Sequence, residues 1–342
     1  MPPPRAGASP AAIRLDGVLV IDKPPGPTSH DVVAAVRRIV APARVGHTGT
    51  LDPIATGVLP LVIGRATRLS RFLTTGTKAY RAEVRLGVAT DSYDAEGSPV
   101  ALGLPGEGGR LGWPEAAAVE AVLAGFRGAH AQTPPPFSAK KVGGTPAHRL
   151  ARRDRAVQLQ PVPVVVHRLA LLEADGPRLV LEIECSAGFY VRALAHAIGV
   201  ALGCGAHLAA LRRTRSGDFG EDAAHPLGAL LAEPERIGER LVPLDRLLPG
   251  LPAARLGTRA AERVGHGQAI AVGDVDRWEG EAPAPDAPVE DAARRDGQTK
   301  QAPPGLAPLP GEGMVRLLDP DGRLLALARR AGGVLQPAVV LV

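Results

Sequence analysis

Aromatic residues make up only 3% of this 342-residue chain, and cysteine occurs twice, at Cys185 and Cys204. Two thiols cannot supply the ligand set of a structural zinc site, and in a reducing compartment they are not expected to pair. Neither a metal nor a disulfide framework is therefore expected. No apolar run approaches the roughly 18 residues that span a bilayer. The opening MPPPRAGASPAAIRLDG also lacks the apolar centre of a secretory signal. A cytoplasmic protein without a membrane partner is the expectation. Lysine is sparse as well, at five of 40 basic residues, which reports on genome composition as much as on function.

What is present is a globular balance of 45% hydrophobic and 22% charged residues, over a length that suits about two domains. The formal charge of +5 is unevenly spread. Between Val275 and Glu312 eight acids face four bases, and setting that −4 aside leaves +9 on the remainder. Such a surplus suits a polyanionic partner, and it equally suits a basic solvated surface.

Residues 1–12 are rich in Pro and Ala without periodicity and read as a disordered tail. Gly17 to Ile21 is a short apolar strand that ends in the turn Lys23-Pro-Pro-Gly-Pro27. Thr28 and Asp31 then have capping-box spacing ahead of Val32, Val33, Val36, Ile39 and Val40 at helical intervals. From Tyr80 to Leu86 the period falls to two, and Leu179, Leu181, Ile183 and Cys185 alternate in the same way. Helical spacing is read from Leu194 to Leu202 and again from Leu208 to Arg212. Strands and helices without a regular βαβ rhythm predict an α+β fold with a mixed, largely antiparallel sheet. The Pro- and Leu-rich stretch 243–252 marks a boundary between a domain over 13–247 and a β-rich module over 248–342. Within that module, 275–312 carries seven prolines and its acids without apolar periodicity, and reads as a disordered insertion.

Turn formers and functional groups are densest in Arg44-Val-Gly-His47-Thr-Gly-Thr50-Leu-Asp52-Pro-Ile-Ala-Thr-Gly57-Val-Leu-Pro60, as in a rigid active-site loop. Taken by itself, Asp52-Pro53 is as readily a plain turn as a catalytic acid. The whole string resembles the GHTGxLDPxAxGVLP motif of the bacterial tRNA uridine-55 pseudouridine synthases of the TruB type. Further segments resemble that family in the same order. Gly17 to Ser29 is similar to its opening strand and KPxGxTS turn, Lys78 to Gly87 to its KxY strand, and Thr90 to Gly97 continues the likeness. Gln132 to Gly144 is similar to QxPPxxSAxKxxG, Cys185 to Leu194 to CSKGTYIRSL, and Gly203 to Phe219 to the family's ending.

The resemblance implies a pseudouridine synthase catalytic domain followed by a PUA-like module. It implies an isomerase that breaks the N-glycosidic bond of a flipped-out T-loop uridine, turns the base and rejoins C1′ to C5, with no cofactor or metal. Asp52 would be the nucleophile or base, and Arg192 would orient that carboxylate and keep it ionised. Tyr190 would be a second active-site tyrosine that takes the C5 proton. Tyr80 would stack on the base, Leu211 would line the uracil pocket, and His47 would fill the space vacated in the T loop. Lys23, Arg212 and Arg213 are expected to touch the substrate, and Arg149, Arg152, Arg153 and Arg155 to meet phosphates. Plainer readings stay open for several of these: core for Tyr80 and Leu211, solvated surface for Arg192 and the arginine clusters, a satisfied loop histidine for His47. The expected partner is tRNA through its T stem-loop, met by a monomer without an obligate protein partner. The rivals are a non-catalytic RNA-binding protein on the same scaffold and a guide-RNA-dependent synthase. His148, Asp154, Ala187 and Ala197 depart from the family pattern.

Overall fold

The computed structural model describes residues 15–137, 141–142, 145–146, 159–280 and 313–342. Its main sheet contains β1 (Gly17–Lys23), β2 (Val45–His47), β3 (Ala55–Ile63), β4 (Lys78–Leu86) and β5 (Gly128–Gln132), followed by β6 (Val162–Asp175), β7 (Arg178–Cys185), β8 (Ala206–Ser216), β9 (Phe219–Gly220) and β10 (His225–Pro226). The strand order is β10-β1-β3-β8-β4-β7-β6-β5, with β2 added to β3 and β9 to β8. Only β1/β10 and β3/β8 pair in parallel, so the sheet is mixed and largely antiparallel, as the sequence predicts.

The strands differ in pattern because their faces differ in cover. In β1, Leu19 and Ile21 enter one core while Val18 and Val20 enter another, and β3 divides Leu59, Leu61 and Ile63 from Val58 and Val62 in the same way. Burial on both faces produces the unbroken apolar runs. In β4, by contrast, Tyr80, Ala82, Val84 and Leu86 are buried while Arg81 and Arg85 are exposed. The first core is roofed by α1 (Ser29–Ile39), α2 (Ala116–Ala124) and α3 (Val191–Ala201), through Val32 and Val36, Val119 and Leu123, and Leu194 and Ile198. The start of α1 is fixed by the expected capping box: the Thr28 hydroxyl accepts the Asp31 N–H and the Asp31 carboxylate accepts the Thr28 N–H.

The second face of β1 and β3 is covered by residues 64–74 together with the C-terminal module. There β11 (Ala253–Leu256), β12 (Ile270–Ala271), β13 (Val275–Glu279), β14 (Met314–Leu318), β15 (Leu324–Ala331) and β16 (Val334–Val340) form a six-stranded sheet ordered β12-β16-β15-β14-β11-β13. Met314, Leu318, Leu324, Leu327 and Leu341 share one apolar cluster with Val18, Val20, Val58 and Val62 and with Ala66, Leu69, Phe72 and Leu73. The module's other core is closed by Ala260 and Val264 of α4 (Thr258–Gly265).

Two expectations need correction. Leu208 to Arg212 is not helical but lies inside β8. A register shift between Leu208 and Ala210 inserts one residue, so the inward positions step from Leu208 to Leu211 and imitate helical spacing. The stretch 275–312 also does not begin as an insertion: Val275–Glu279 is an edge strand on β11, and Glu279 pairs with Arg255 at 2.7 Å. Its alternation is weak because an edge strand buries little on either face. The expected tail 1–12, the rest of the expected insertion, and Arg149, Arg152, Arg153 and Arg155 lie outside the described residues. No described helix is long and apolar enough to cross a membrane.

Glu279 and Arg316 are both register neighbours of Ala253, so they stand about two strand spacings, roughly 10 Å, apart. Replacing residues 281–312 by a linker of about six Gly and Ser residues should therefore leave the melting temperature within about 3 °C. Starting the same deletion at Val275 should lower it by more, because the edge strand and its ion pair go too. Thermal unfolding of the two variants checks this.

Candidate active site

The segment 48–54 between β2 and β3 has no ladder of its own, and buried side chains from elsewhere hold it. The Ser29 hydroxyl accepts the Leu51 N–H at 2.8 Å and donates to the Leu51 carbonyl at 3.0 Å. Lys23 is fully buried and donates to the carbonyls of Ala55 at 2.7 Å, Pro24 at 3.0 Å and Pro53 at 3.2 Å. Arg213, 1% exposed, donates to Val58 at 2.7 Å, Gly49 at 3.1 Å and Thr50 at 3.5 Å. Its guanidinium also hydrogen-bonds the Tyr80 hydroxyl. Gly57 lets β3 and β8 approach this closely: its φ is +93°, and a Cβ there would lie 2.3 Å from the Arg213 carbonyl oxygen. With Leu51 buried as an anchor, Asp52 is held with its side chain 36% exposed.

Arg192 reaches that carboxylate from the first turn of α3. The helix follows the turn at Gly188, and Tyr190 stands at its N-cap. Gln132 fixes Tyr190 by its backbone: the amide oxygen accepts the Tyr190 N–H at 2.8 Å and the amide nitrogen donates to the Tyr190 carbonyl at 3.0 Å. The Arg192 guanidinium then meets both Asp52 oxygens, Nε to Oδ2 at 2.9 Å and Nη2 to Oδ1 at 3.3 Å. Its remaining donors go to the Ser92 carbonyl at 3.2 Å, the Phe137 carbonyl at 2.9 Å and the buried Asp94 carboxylate at 3.4 Å. A fork of this kind fixes direction as well as charge.

Burial pushes the Asp52 carboxyl above its ordinary value; Arg192 opposes that rise, Asp94 adds to it, and Lys23 opposes it more weakly. Tyr80 is buried with its hydroxyl pushed up, chiefly by desolvation. Leu211 lies across the sheet from Ala55 and Ala82, in the same apolar cluster as Tyr80, Leu51, Phe189 and Val191. An apolar wall thus stands beside an ionisable carboxylate. His47 is half-buried, its Nδ1 accepts the Gly49 N–H at 3.3 Å, and its ring meets His30 edge-on at 5.6 Å. Burial first, then His30 and Arg213, push its pKa down, so the ring is neutral near pH 7 with its proton on Nε2.

The sequence-derived set therefore divides. Asp52, Arg192, Tyr80 and Leu211 converge, Tyr190 flanks Arg192, and His47 sits at the edge of the same loop. Lys23 and Arg213 face inward and build the loop rather than the cleft surface. Arg212, its immediate neighbour, is 39% exposed and spanned by Asp22 and Glu221. Asp94 and Gln132 hold the site without having been singled out; the signal available for each was an isolated polar residue inside a motif segment, Asp94 in a turn and Gln132 ahead of three prolines. Among the described residues no three His, Cys, Asp or Glu side chains converge as metal ligands.

Residues 37–191 match the sequence model of the TruB family pseudouridylate synthase N-terminal domain, and 192–249 that of the tRNA pseudouridylate synthase B C-terminal domain. The chain belongs to the TruB family. It is 48% identical over 260 residues to the tRNA pseudouridine synthase B of Solibacter usitatus, covering 74% of this chain and 85% of that one. To the protein of the same name from Burkholderia mallei it is 39% identical over 329 residues, 96% of this chain and 97% of that one. Among solved structures, a chain of a Cbf5-Nop10-Gar1 complex matches with a TM-score of 0.68 and 26% identity over 96% of this chain and 85% of that one. Family membership and the mixed sheet thus confirm the expected fold class and enzyme class.

The opposite orientations of two adjacent arginines lead to a direct test. Arg213→Met should cost about 3–5 kcal/mol, since several buried carbonyls lose their donor. Arg212→Met, which removes a solvent-screened pair, should cost under about 1 kcal/mol. Urea unfolding of both variants reads the difference.

Proposed function

We propose that this synthase isomerises uridine 55 in the T loop of tRNA to pseudouridine, as a single chain and without a cofactor. The observation that carries the reading is the two-point clasp of Arg192 on Asp52 beside the apolar wall of Tyr80 and Leu211. The uridine is flipped from its stack and its base lies against Tyr80 and Leu211, since a base inside a folded loop cannot be reached in place. Asp52 acts as an anion, either attacking the ribose or removing a proton from it. The bond from N1 to C1′ breaks, the base turns, and C5 bonds to C1′ as the Asp52–C1′ bond breaks or, in the other branch, as Asp52 returns the ribose proton. C5 then loses its proton to Tyr190 and N1 gains one, so the product is an isomer of the substrate. Arg192 keeps the carboxylate ionised and aimed, and the neutral His47 ring fills the space the uridine leaves.

The deciding assay incubates the purified chain with unmodified tRNA transcript and maps pseudouridine by nucleotide. Modification at position 55 without added RNA or protein supports the proposal. A requirement for a guide RNA or for added proteins would replace it, and the likeness to a chain of a Cbf5-Nop10-Gar1 complex makes added proteins an arm to include. Asp52→Asn should keep tRNA affinity within about threefold and lower the rate by at least about 1,000-fold, because it retains shape and loses the anionic oxygen. Retained turnover in Asp52→Asn would exclude that role, whereas RNA binding without turnover in the wild type would favour the scaffold-only reading.

The rate should also fall as pH is lowered, as Asp52 takes up a proton. Because burial raises its pKa, the midpoint of that acid limb should lie above the ordinary carboxylate value of about 4. Arg192 opposes the rise, so in Arg192→Gln the limb should move to still higher pH. Single-turnover rates from about pH 4 to about pH 8 give both midpoints.

A polyanionic substrate is further supported by the surface next to His47. From Val32 to Ala82 the sequence has eight basic residues and one acid, Asp52. Arg37, Arg44 and Arg68, with Gly46, Thr67 and Ser70, line an open groove of about 780 Å³, and none of the three arginines is paired with a carboxylate among the described residues. Changing all three to Gln should raise KM for tRNA and lower the log–log salt slope of binding by roughly 1–3, one counterion for each lost phosphate contact. Filter binding across a salt series measures it.

A further inference from the structure

Asp94 and the Ser92 carbonyl both serve Arg192, and the residue between them, Tyr93, is held in an unfavourable backbone conformation. Its φ is +67°, the left-handed region that a tyrosine rarely enters. Several contacts keep it there, and within the turn the Tyr93 N–H donates to the Thr90 carbonyl at 3.3 Å and the Thr90 hydroxyl to the Asp94 carbonyl at 2.7 Å. The Tyr93 carbonyl accepts the Leu208 N–H at 2.9 Å, and the Ala95 N–H donates to the Leu208 carbonyl at 3.0 Å, which pins the turn to β8. Among the described residues, the one contact that is not a hydrogen bond of the turn is a ring: Tyr93 lies flat on His196, with centroids 3.9 Å apart and planes 10° from parallel. His196 is four residues after Arg192 on α3, and so on the same helix face. One face of one helix thus grips the turn twice, through the guanidinium at Ser92 and Asp94 and through the imidazole at Tyr93. The His196 Nδ1 is buried with no hydrogen-bond partner among the described residues, and burial favours the neutral ring. What the imidazole contributes is its face.

We infer that the Tyr93–His196 stack is a positioning device for the reaction: it holds turn 92–94 in the conformation that presents Asp94 and the Ser92 carbonyl to Arg192, and through Arg192 it sets the aim of Asp52. Tyr93 and His196 are positioning residues, and their effect on the rate rests on the function proposed above. Loss of the stack frees the turn, relaxes the Arg192 fork and lets the carboxylate wander, which penalises the chemical step more than binding.

The test separates ring from backbone. Tyr93→Gly removes the ring yet suits a positive φ, so the protein should fold with a melting temperature no lower than wild type. Its single-turnover rate on unmodified tRNA should still fall about tenfold or more, with KM within about twofold. Tyr93→Phe keeps the stack and should stay within about twofold of wild type in both. His196→Ala should match Tyr93→Gly, and the double variant should lose little more, as expected of two residues acting as one unit. A second readout needs no RNA: the Asp52 carboxyl, followed by carbon-13 NMR against pH, should titrate higher in Tyr93→Gly and unchanged in Tyr93→Phe, because a loosened Arg192 lowers it less. Wild-type rate with unshifted titration in Tyr93→Gly overturns the inference, and so does a loss confined to KM, which would make Tyr93 a substrate contact. Absence of pseudouridine in wild type, with the titration shift present, would instead fault the proposed substrate and leave the positioning role standing.

Discussion

A half-buried loop without a partner strand must find donors for its inward carbonyls, and in this protein that requirement organises the site. Lys23, Ser29 and Arg213 supply those donors to the segment around Asp52. Two of them carry full charges into the interior, which is tolerable only because each charge is spread over several carbonyl dipoles. Lys23 is the last residue of β1, Ser29 the first of α1 and Arg213 a residue of β8, so three separate elements must be in register before the loop takes its shape. A carboxylate held this way does not have to reorganise when it reacts.

The same economy governs the second layer. Arg192 divides its donors among two carboxylates and two carbonyls, so its position is overdetermined and its charge is shared. Asp94 lies deeper than Asp52 and competes with it for the same cation. Burial favours protonation of Asp52 and the arginine favours ionisation, and the balance between them sets its titration. The arrangement tunes a carboxylate with neighbours alone.

The parts legible in the sequence were those where one residue's environment is decided by its own strand or helix. β4 alternates because one face is wet, α1 begins at Thr28 because its hydroxyl and Asp31 satisfy each other, and the motif around Asp52 announces a turn-rich loop. The parts that were not legible depend on neighbours distant in sequence. Arg212 and Arg213 are the same residue type side by side, and the pleat alone sends one out to Asp22 and Glu221 and the other in to the loop. The bulge after Leu208 shifts phase within β8 and erased the strand's period. Val275–Glu279 reads as polar filler because an edge strand has no need of an apolar face. Gln132 and Asp94 acquire their work only when β5 and the 90–97 turn are brought against α3.

Coverage of both faces of β1 and β3 has a consequence for the order in which the chain is made. Val18, Val20, Val58 and Val62 leave the ribosome early, and Ala66, Leu69, Phe72 and Leu73 of the same cluster follow at once, whereas Met314, Leu318, Leu324, Leu327 and Leu341 come much later. Until those later strands arrive, part of the sheet's apolar back stays open, a surface that invites association with other chains. Residues 314–341 thus complete the cover of the catalytic sheet, and a chain broken off shortly before them would carry every motif of the active site and a hydrophobic flank still partly open.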